Sequence, residues 1–152
     1  VQESLHGLEK TMKDSSEVVE AYGQSGFSVI RNDPEFAVEL YRRAHELQPG
    51  NWLHLMGLGS AHLLMDQLDR AIGKYTESRK LPHGENSTNY FFLAMAHGRK
   101  GQEDEAIRWY EKAMKQMPAD RSKMGGTRRA VLDYAHSQAS TLLGIKPEEE
   151  KP

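Results

Sequence analysis

The side chains of this 152-residue sequence that could bind a metal ion or activate a nucleophile are seven histidines, and the chain has no cysteine. No two histidines stand at the spacing that places metal ligands on one helix face, and the metalloprotease pattern is missing. The absence of cysteine excludes disulfide bonds, thiol catalysis and thiolate metal sites. The histidines are His6, His45, His54, His62, His83, His97 and His136. We therefore expect no catalytic residues, no metal site and no cofactor.

Two short motifs match functional patterns but have simpler structural explanations. The Gly57-Leu58-Gly59-Ser60 segment could suggest a phosphate loop, yet it lies inside a predicted helix with no strand before it, which favours a packing role. Asn86, Ser87 and Thr88 form a glycosylation sequon by pattern. Because this segment stands at a predicted helix start, helix capping is the simpler interpretation.

Composition restricts the classes of partner. Lys and Arg number 20 against 22 Asp and Glu, so the formal net charge is -2, which argues against a chain built to coat nucleic acid or an anionic membrane. No apolar run approaches the roughly 18 residues of a membrane span. We expect a soluble, cytoplasmic protein. Because the chain begins with Val and no leader follows, we also expect it to be a segment of a longer protein.

Small and aromatic residues recur along the chain with a period of about 34 residues. The three sets are Ala37, Tyr41, Ala44 and Pro49; Ala71, Tyr75, Ser78 and Pro82; and Ala106, Tyr110, Ala113 and Pro118. Upstream of the last two sets lie Leu55, Leu58, Gly59 and His62, and then Tyr90, Leu93, Ala94 and His97. His62 and His97 thus occupy equivalent places, which favours a packing role over a ligand or pH-switch role.

This pattern resembles the tetratricopeptide repeat, whose signature reads W-x2-L-G-x2-Y, then A-x3-F, then P. The resemblance covers roughly residues 15 to 118, and the copy from Tyr90 to Pro118 is the best. Residues 89 to 144 are also similar to the closing part of arrays in large bacterial signalling proteins, including tails of serine/threonine kinases. The resemblance implies an all-α, right-handed superhelical solenoid of about three helix-turn-helix repeats with a C-terminal capping helix.

Helical spacing of apolar residues predicts the elements of this solenoid. Helices are expected at 15–31, 34–47, 51–64, 67–81, 86–99, 103–117 and 127–143, with a short additional helix at 2–13. The expected organisation is an N-terminal helical extension (1–14), three repeats within 15–118 (15–49, 51–85 and 86–118), a linker and capping helix (119–144) and a disordered tail (145–152). Predicted N-caps are Asp33, followed by Pro34, and Asn51, Asp66 and Ser87. Gly144 is expected to end the last helix.

The resemblance also implies which residues line the inner face of the superhelix, since the first helix of each repeat forms that face. The expected partner-binding residues are Phe27, Ile30, Leu53, Met56, Leu63, Phe91, Met95 and Arg99. Chaperone-binding members of the family clamp a C-terminal carboxylate with Lys and Asn at such places, and here only Arg99 supplies a charge. We therefore expect a groove for an amphipathic helix or apolar peptide, or a self-association surface. The alternative is that the chain's own terminal helix, or a second copy, covers these residues.

A basic cluster stands around the loop before the last helix. It comprises Lys112, Lys115, Arg121, Lys123, Arg128 and Arg129. Such a cluster can contact phosphate or an acidic partner, whereas the simpler interpretation is a solvated helix end.

The expected function is a non-catalytic scaffold that binds a protein or peptide partner or mediates self-association. The alternative is a regulatory or substrate-docking appendage of a larger enzyme, such as a bacterial serine/threonine kinase.

Overall fold

The computed structural model describes residues 30–146, and every regular element in that range is an α-helix. The helices are α1 (Pro34–Leu47), α2 (Trp52–Leu64), α3 (Leu68–Arg79), α4 (Ser87–Arg99), α5 (Glu103–Ser122) and α6 (Gly126–Leu143). The predicted all-α class is confirmed. The predicted extension (1–14), nearly all of the predicted helix 15–31 and the last six residues of the chain lie outside the described residues.

The chain divides into two compact units, Val1–Gly84 and Glu85–Pro152, here called unit 1 and unit 2. In unit 1, α2 packs against both α1 and α3. The core cluster between α1 and α2 combines small residues with large ones: Ala37, Tyr41, Leu55, Leu58 and Ala61. The small side chains let the helix axes approach closely, so the aromatic ring fills the remaining space.

In unit 2, α4 packs against both α5 and α6. The buried face of α5 carries Ala106, Tyr110 and Ala113 at helical spacing, and α6 buries Leu132, Ala135 and Ala139. Across both units the predicted burial of the equivalent alanines Ala37, Ala71 and Ala106 is borne out, since none of the three is exposed to solvent.

Two of the four predicted N-caps are correct. The Asp33 carboxylate accepts a hydrogen bond from the Phe36 amide at 3.1 Å, and the Asn51 side chain accepts one from Leu53 at 3.1 Å. Asp66 does not cap α3, because the N-cap is the next residue, Gln67. The backbone of Asp66 is left-handed (φ 58°) and belongs to the turn that follows α2. Ser87 is the first residue of α4, and the N-cap is Asn86, whose side chain accepts from the Asn89 amide at 3.0 Å.

The ends of α3 and α5 differ from the expectation, whereas the ends of the other four helices agree with it. α3 ends at Arg79, two residues early. α5 continues through Pro118 to Ser122, although proline lacks the N–H that would bond to the preceding turn. α6 ends as predicted at Gly144, whose φ of 70° favours glycine. The extension of α5 matters because it carries Asp120 to a position where it contacts α4.

Candidate partner-binding surface

The eight residues predicted to line the inner face differ widely in accessibility. Met56, Leu63, Phe91 and Met95 are buried; Ile30 and Leu53 are half-buried; Arg99 is exposed; and Phe27 lies outside the described residues. Ile30 packs against the core cluster of unit 1. Leu53 and Arg99 are therefore the predicted residues that a partner reaches most directly in unit 1 and unit 2, respectively.

Phe91 is enclosed by side chains of its own unit. Its ring stacks on the His136 ring of α6 at a centroid distance of 5.0 Å and meets the Tyr110 ring of α5 edge-on at 5.5 Å. No part of Phe91 is accessible to solvent. The expectation of an open apolar face is therefore corrected at Phe91: α6 covers this residue, as in the alternative in which the terminal helix of the chain lies on the face.

Two equivalent tyrosines make hydrogen bonds with different kinds of helix in the two units. In unit 1, the Tyr75 hydroxyl shares a hydrogen bond with Ser60 Oγ at 3.1 Å, and Ser60 Oγ also lies 3.6 Å from Met56 Sδ. In unit 2, Met95 stands where the repeat places Ser60, so the serine hydroxyl of unit 1 has no equivalent at this position. Instead Tyr110 shares a 2.8 Å hydrogen bond with Ser140 of α6. The terminal helix thus satisfies a buried hydroxyl of α5.

Two equivalent histidines and the glycine-rich segment that were considered for chemistry make contacts within their own units. His62 Nδ1 and His97 Nδ1 each lie 2.7 Å from a glutamine Oε1, that of Gln67 and Gln102 respectively, at equivalent turns. Gly59 lies against the Tyr75 ring within a helix, and no phosphate loop forms there. Among residues 30–146, no three His, Cys, Asp or Glu side chains are grouped so that they could hold a metal ion.

The basic cluster is partly engaged within unit 2. Arg121 donates two hydrogen bonds of 3.1 Å to the Asp133 carboxylate, and this contact holds the pKa of Asp133 below its ordinary value. Arg129 donates to the Met124 carbonyl at 3.1 Å, near the end of α5. The Lys112 ammonium lies over the Tyr90 and Trp109 rings. Arg121 and Arg129 thus lie at the C-terminal end of α5, where cations are favoured, whereas Lys112 lies in the middle of that helix.

Asp120 is an important residue that the sequence did not indicate. Its Oδ2 accepts hydrogen bonds of 2.7 Å from both the backbone amide and the hydroxyl of Ser87, at the first turn of α4. Gln116 supports this contact by donating to Asp120 Oδ1 at 3.3 Å and to the Glu85 carbonyl at 2.8 Å. A carboxylate at a helix N-terminus satisfies free amides and interacts favourably with the helix dipole. Asp120 therefore joins the end of α5 to the beginning of α4.

We expect Asp120→Asn to lower the free energy of unfolding of unit 2 by about 1 kcal/mol, because the charge-assisted hydrogen bonds to Ser87 are weakened. Urea unfolding followed by Trp109 fluorescence measures the change. Glu111→Gln, which removes an exposed carboxylate from the same helix, is the control and should have a smaller effect. Equal effects of the two substitutions would contradict the assigned role of Asp120.

Comparison with known proteins agrees with this helix-pair geometry. The family model of the tetratricopeptide repeat matches residues 87–120, which comprise α4 and α5 as far as Asp120. Residues 87–120 therefore form one helix pair that matches a tetratricopeptide repeat. The match coincides closely with the predicted third repeat, 86–118.

A structural comparison extends the likeness in fold beyond this repeat. The crystal structure of MamA is similar to the chain with a TM-score of 0.61 and 20% sequence identity, over 92% of this chain and 82% of that one. The likeness supports a solenoid of tetratricopeptide type as the fold. The curated proteins contain no match to the sequence. No helix within residues 30–146 has the length and apolar character needed to cross a membrane.

The tetratricopeptide repeat also explains where the small and aromatic residues lie. Ala106 and Tyr110 on α5 and Leu93 on α4 are buried, as the repeat pattern predicts. The repeat thus uses its characteristic residues for its own packing, and the side chains that remain accessible are those that the repeat pattern does not fix.

Proposed function

We propose that the protein is a non-catalytic scaffold that binds a partner protein or peptide through accessible side chains of its helix pairs. The observation that carries the proposal is the tetratricopeptide repeat at residues 87–120, in which packing occupies the signature residues. A partner can bind the surface of such a helix pair through shape complementarity and side-chain contacts.

Leu53 and Arg99 are the proposed contacts. Leu53 presents apolar surface near the start of α2 in unit 1, and Arg99 presents a positive charge at the end of α4 in unit 2. A half-buried leucine holds a fixed position on its helix, so a partner can bury the rest of it at a low cost in conformational entropy. The proposed ligand is therefore a segment that presents an apolar side chain to unit 1 or an acidic group to unit 2.

A photo-crosslinking residue in place of Leu53 or Arg99 tests the proposal. We expect each position to give a discrete adduct with a second protein in extracts, or with a second copy when the chain is pure. The same residue in place of Arg70, an exposed side chain of α3, is the control and should give no such adduct. Adducts of the same kind from all three positions, or from Arg70 alone, would contradict the proposed surface.

For the partner identified at Leu53, we expect Leu53→Asp to weaken binding by about tenfold, because a leucine contact is lost and a charge must be desolvated. Calorimetry with the purified partner measures this change. Arg70→Asp provides the matched charge control.

The alternative function is a docking appendage of a larger enzyme such as a bacterial serine/threonine kinase. A docking appendage would bind its partner through the same contacts as a scaffold. The difference is that the chain would then be part of an enzyme. The identity of the crosslinked protein distinguishes the two functions, since a docking appendage should capture a substrate or regulator of that enzyme, whereas a scaffold should capture another protein or a second copy of the chain.

A further inference from the structure

His54 is a buried ionisable residue that has no polar partner. It lies in the first turn of α2, is 3% exposed to solvent, and neither Nδ1 nor Nε2 makes a hydrogen bond. Buried polar groups in proteins are nearly always hydrogen-bonded. An imidazole in this environment is stable only in its neutral form, because a buried charge without a partner is strongly unfavourable.

A proton on His54 would not be stabilised by the side chains around it. His45, in the last turn of α1, also has a buried Nδ1 without a hydrogen bond, and a charge there would repel one on His54. Glu46, which follows His45 on α1, pairs with Arg42 and Arg43. On α3, Lys74 pairs with Glu77. Burial first, and repulsion by His45 second, lower the pKa of His54 from 6.5 to about 4.

Unit 2 has no counterpart of this residue. The repeat spacing of 35 residues places Asn89 where unit 1 has His54, and Asn89 is fully buried but cannot ionise. His97 in unit 2 is partly exposed and paired with Gln102. His136 in unit 2 also has a buried Nε2 without a hydrogen bond, but its ring is only half-buried and stacks on Phe91. Within the described residues, His54 is therefore the histidine in which both ring nitrogens are buried without a hydrogen bond.

We propose that His54 is an acid-sensitive switch within unit 1: unit 1 stays closed while the buried imidazole is neutral and opens as the pH falls, whereas unit 2 stays folded. The neutral imidazole is accommodated in the core, whereas the open form exposes His54 to water and binds a proton readily. Opening therefore becomes more favourable as the pH falls from about 6.5 towards 4.

The expected size of the effect follows from the two protonation equilibria. A group with a pKa near 6.5 in the open form and near 4 in the closed form raises the opening constant by about 20-fold between pH 7 and pH 5. The rise reaches about 100-fold at pH 4. Opening would also disrupt the Leu53 surface, so acid would release a partner held there; this consequence rests on the proposed function, whereas the opening itself does not.

Each unit contains one tryptophan, which allows the two units to be followed separately in the full chain. Trp52 lies two residues before His54, and Trp109 lies on α5. Trp109→Phe leaves a reporter for unit 1, and Trp52→Phe leaves one for unit 2. Urea unfolding of both variants at pH 7, 6, 5 and 4.5 gives the unfolding constant of each unit.

We expect the constant of unit 1 to rise by about 20-fold between pH 7 and pH 5, and that of unit 2 to change much less. His54→Asn introduces the residue type found at the equivalent position of unit 2 and should remove the difference in pH dependence between the two units. His62→Gln should retain that difference. Parallel loss of stability in the parent and in His54→Asn would overturn the proposal. NMR titration of the His54 ring provides a second test that needs no variant, and a pKa near 6.5 in the folded chain would also overturn it.

Discussion

Phe91→Ala is expected to lower the free energy of unfolding of unit 2 by about 3 to 5 kcal/mol, as for other large aromatic residues removed from a core. The ring is not exposed and lies against the rings of Tyr110 and His136, so its removal leaves a cavity where α4, α5 and α6 meet. α6 loses the stacking of His136 on Phe91 and should become less firmly attached. Urea unfolding followed by Trp109 fluorescence, with hydrogen exchange in α6, measures both effects.

Ile107→Ala is the control for this substitution. Ile107 lies on α5 of the same unit but is 36% exposed, so its truncation should cost less than about 1 kcal/mol. A loss for Phe91→Ala as small as that for Ile107→Ala would contradict the placement of Phe91 in the core. Such a result would also restore Phe91 as a partner-binding residue.

Gly57→Ala is expected to destabilise unit 1 by about 2 kcal/mol, although alanine favours helices over glycine by about 1 kcal/mol. A Cβ at position 57 would come closer than 3.0 Å to three atoms of the Tyr41 ring. This ring is itself buried in the core cluster, so it cannot move aside without displacing α1 from α2. Urea unfolding followed by Trp52 fluorescence measures the loss.

Gly73→Ala is a matched control because it makes the same chemical change in a helix of the same unit. No atom lies within 4 Å of a Cβ at position 73, so the substitution should stabilise α3 by about 0.5 to 1 kcal/mol. The two variants are thus expected to change stability in opposite directions. If Gly57→Ala also stabilised the protein, the close packing of Tyr41 against α2 would be wrong.

The sequence predicted the helices well where local signals define them. Asp33 followed by Pro34 marks the start of α1, and the start and end of that helix match the expectation of 34–47. Gly144 marks the end of α6 in the same way. These signals depend on the backbone and side chains of a few neighbouring residues, so they can be interpreted without knowledge of the tertiary structure.

The end of α5 shows where local signals are insufficient. Pro118 indicated the end of the helix, since proline removes a backbone hydrogen bond. The helix nevertheless continues to Ser122, and its last turn carries Asp120, which binds the amide and hydroxyl of Ser87 from 33 residues away in the sequence. A contact of this kind has no signature in the sequence around Pro118.

The partner-binding surface is a second feature that the sequence alone could not define. The resemblance to the tetratricopeptide repeat implied that Phe91 and Met95 lie on the inner face of α4, and both side chains are buried. It could not indicate what covers that face, because α6 and a partner protein would satisfy the same pattern. In the structure, the Ser140 hydroxyl bonds to Tyr110 and the His136 ring stacks on Phe91, so α6 is what covers these two residues. Ser140 and His136 are far from Tyr110 and Phe91 in the sequence, so no local pattern reveals the contacts.

The sequence by itself determined the all-α class, the repeat period, most helix bounds and the burial of Ala37, Ala71 and Ala106. These features follow from the spacing of side chains along a helix, which the sequence gives directly. The tertiary structure alone decided that α6 covers Phe91, that Asp120 binds α4 and that His54 is buried without a polar partner. The physical reason is that burial and hydrogen bonding depend on the residues that surround a side chain in space, and here those residues come from other helices.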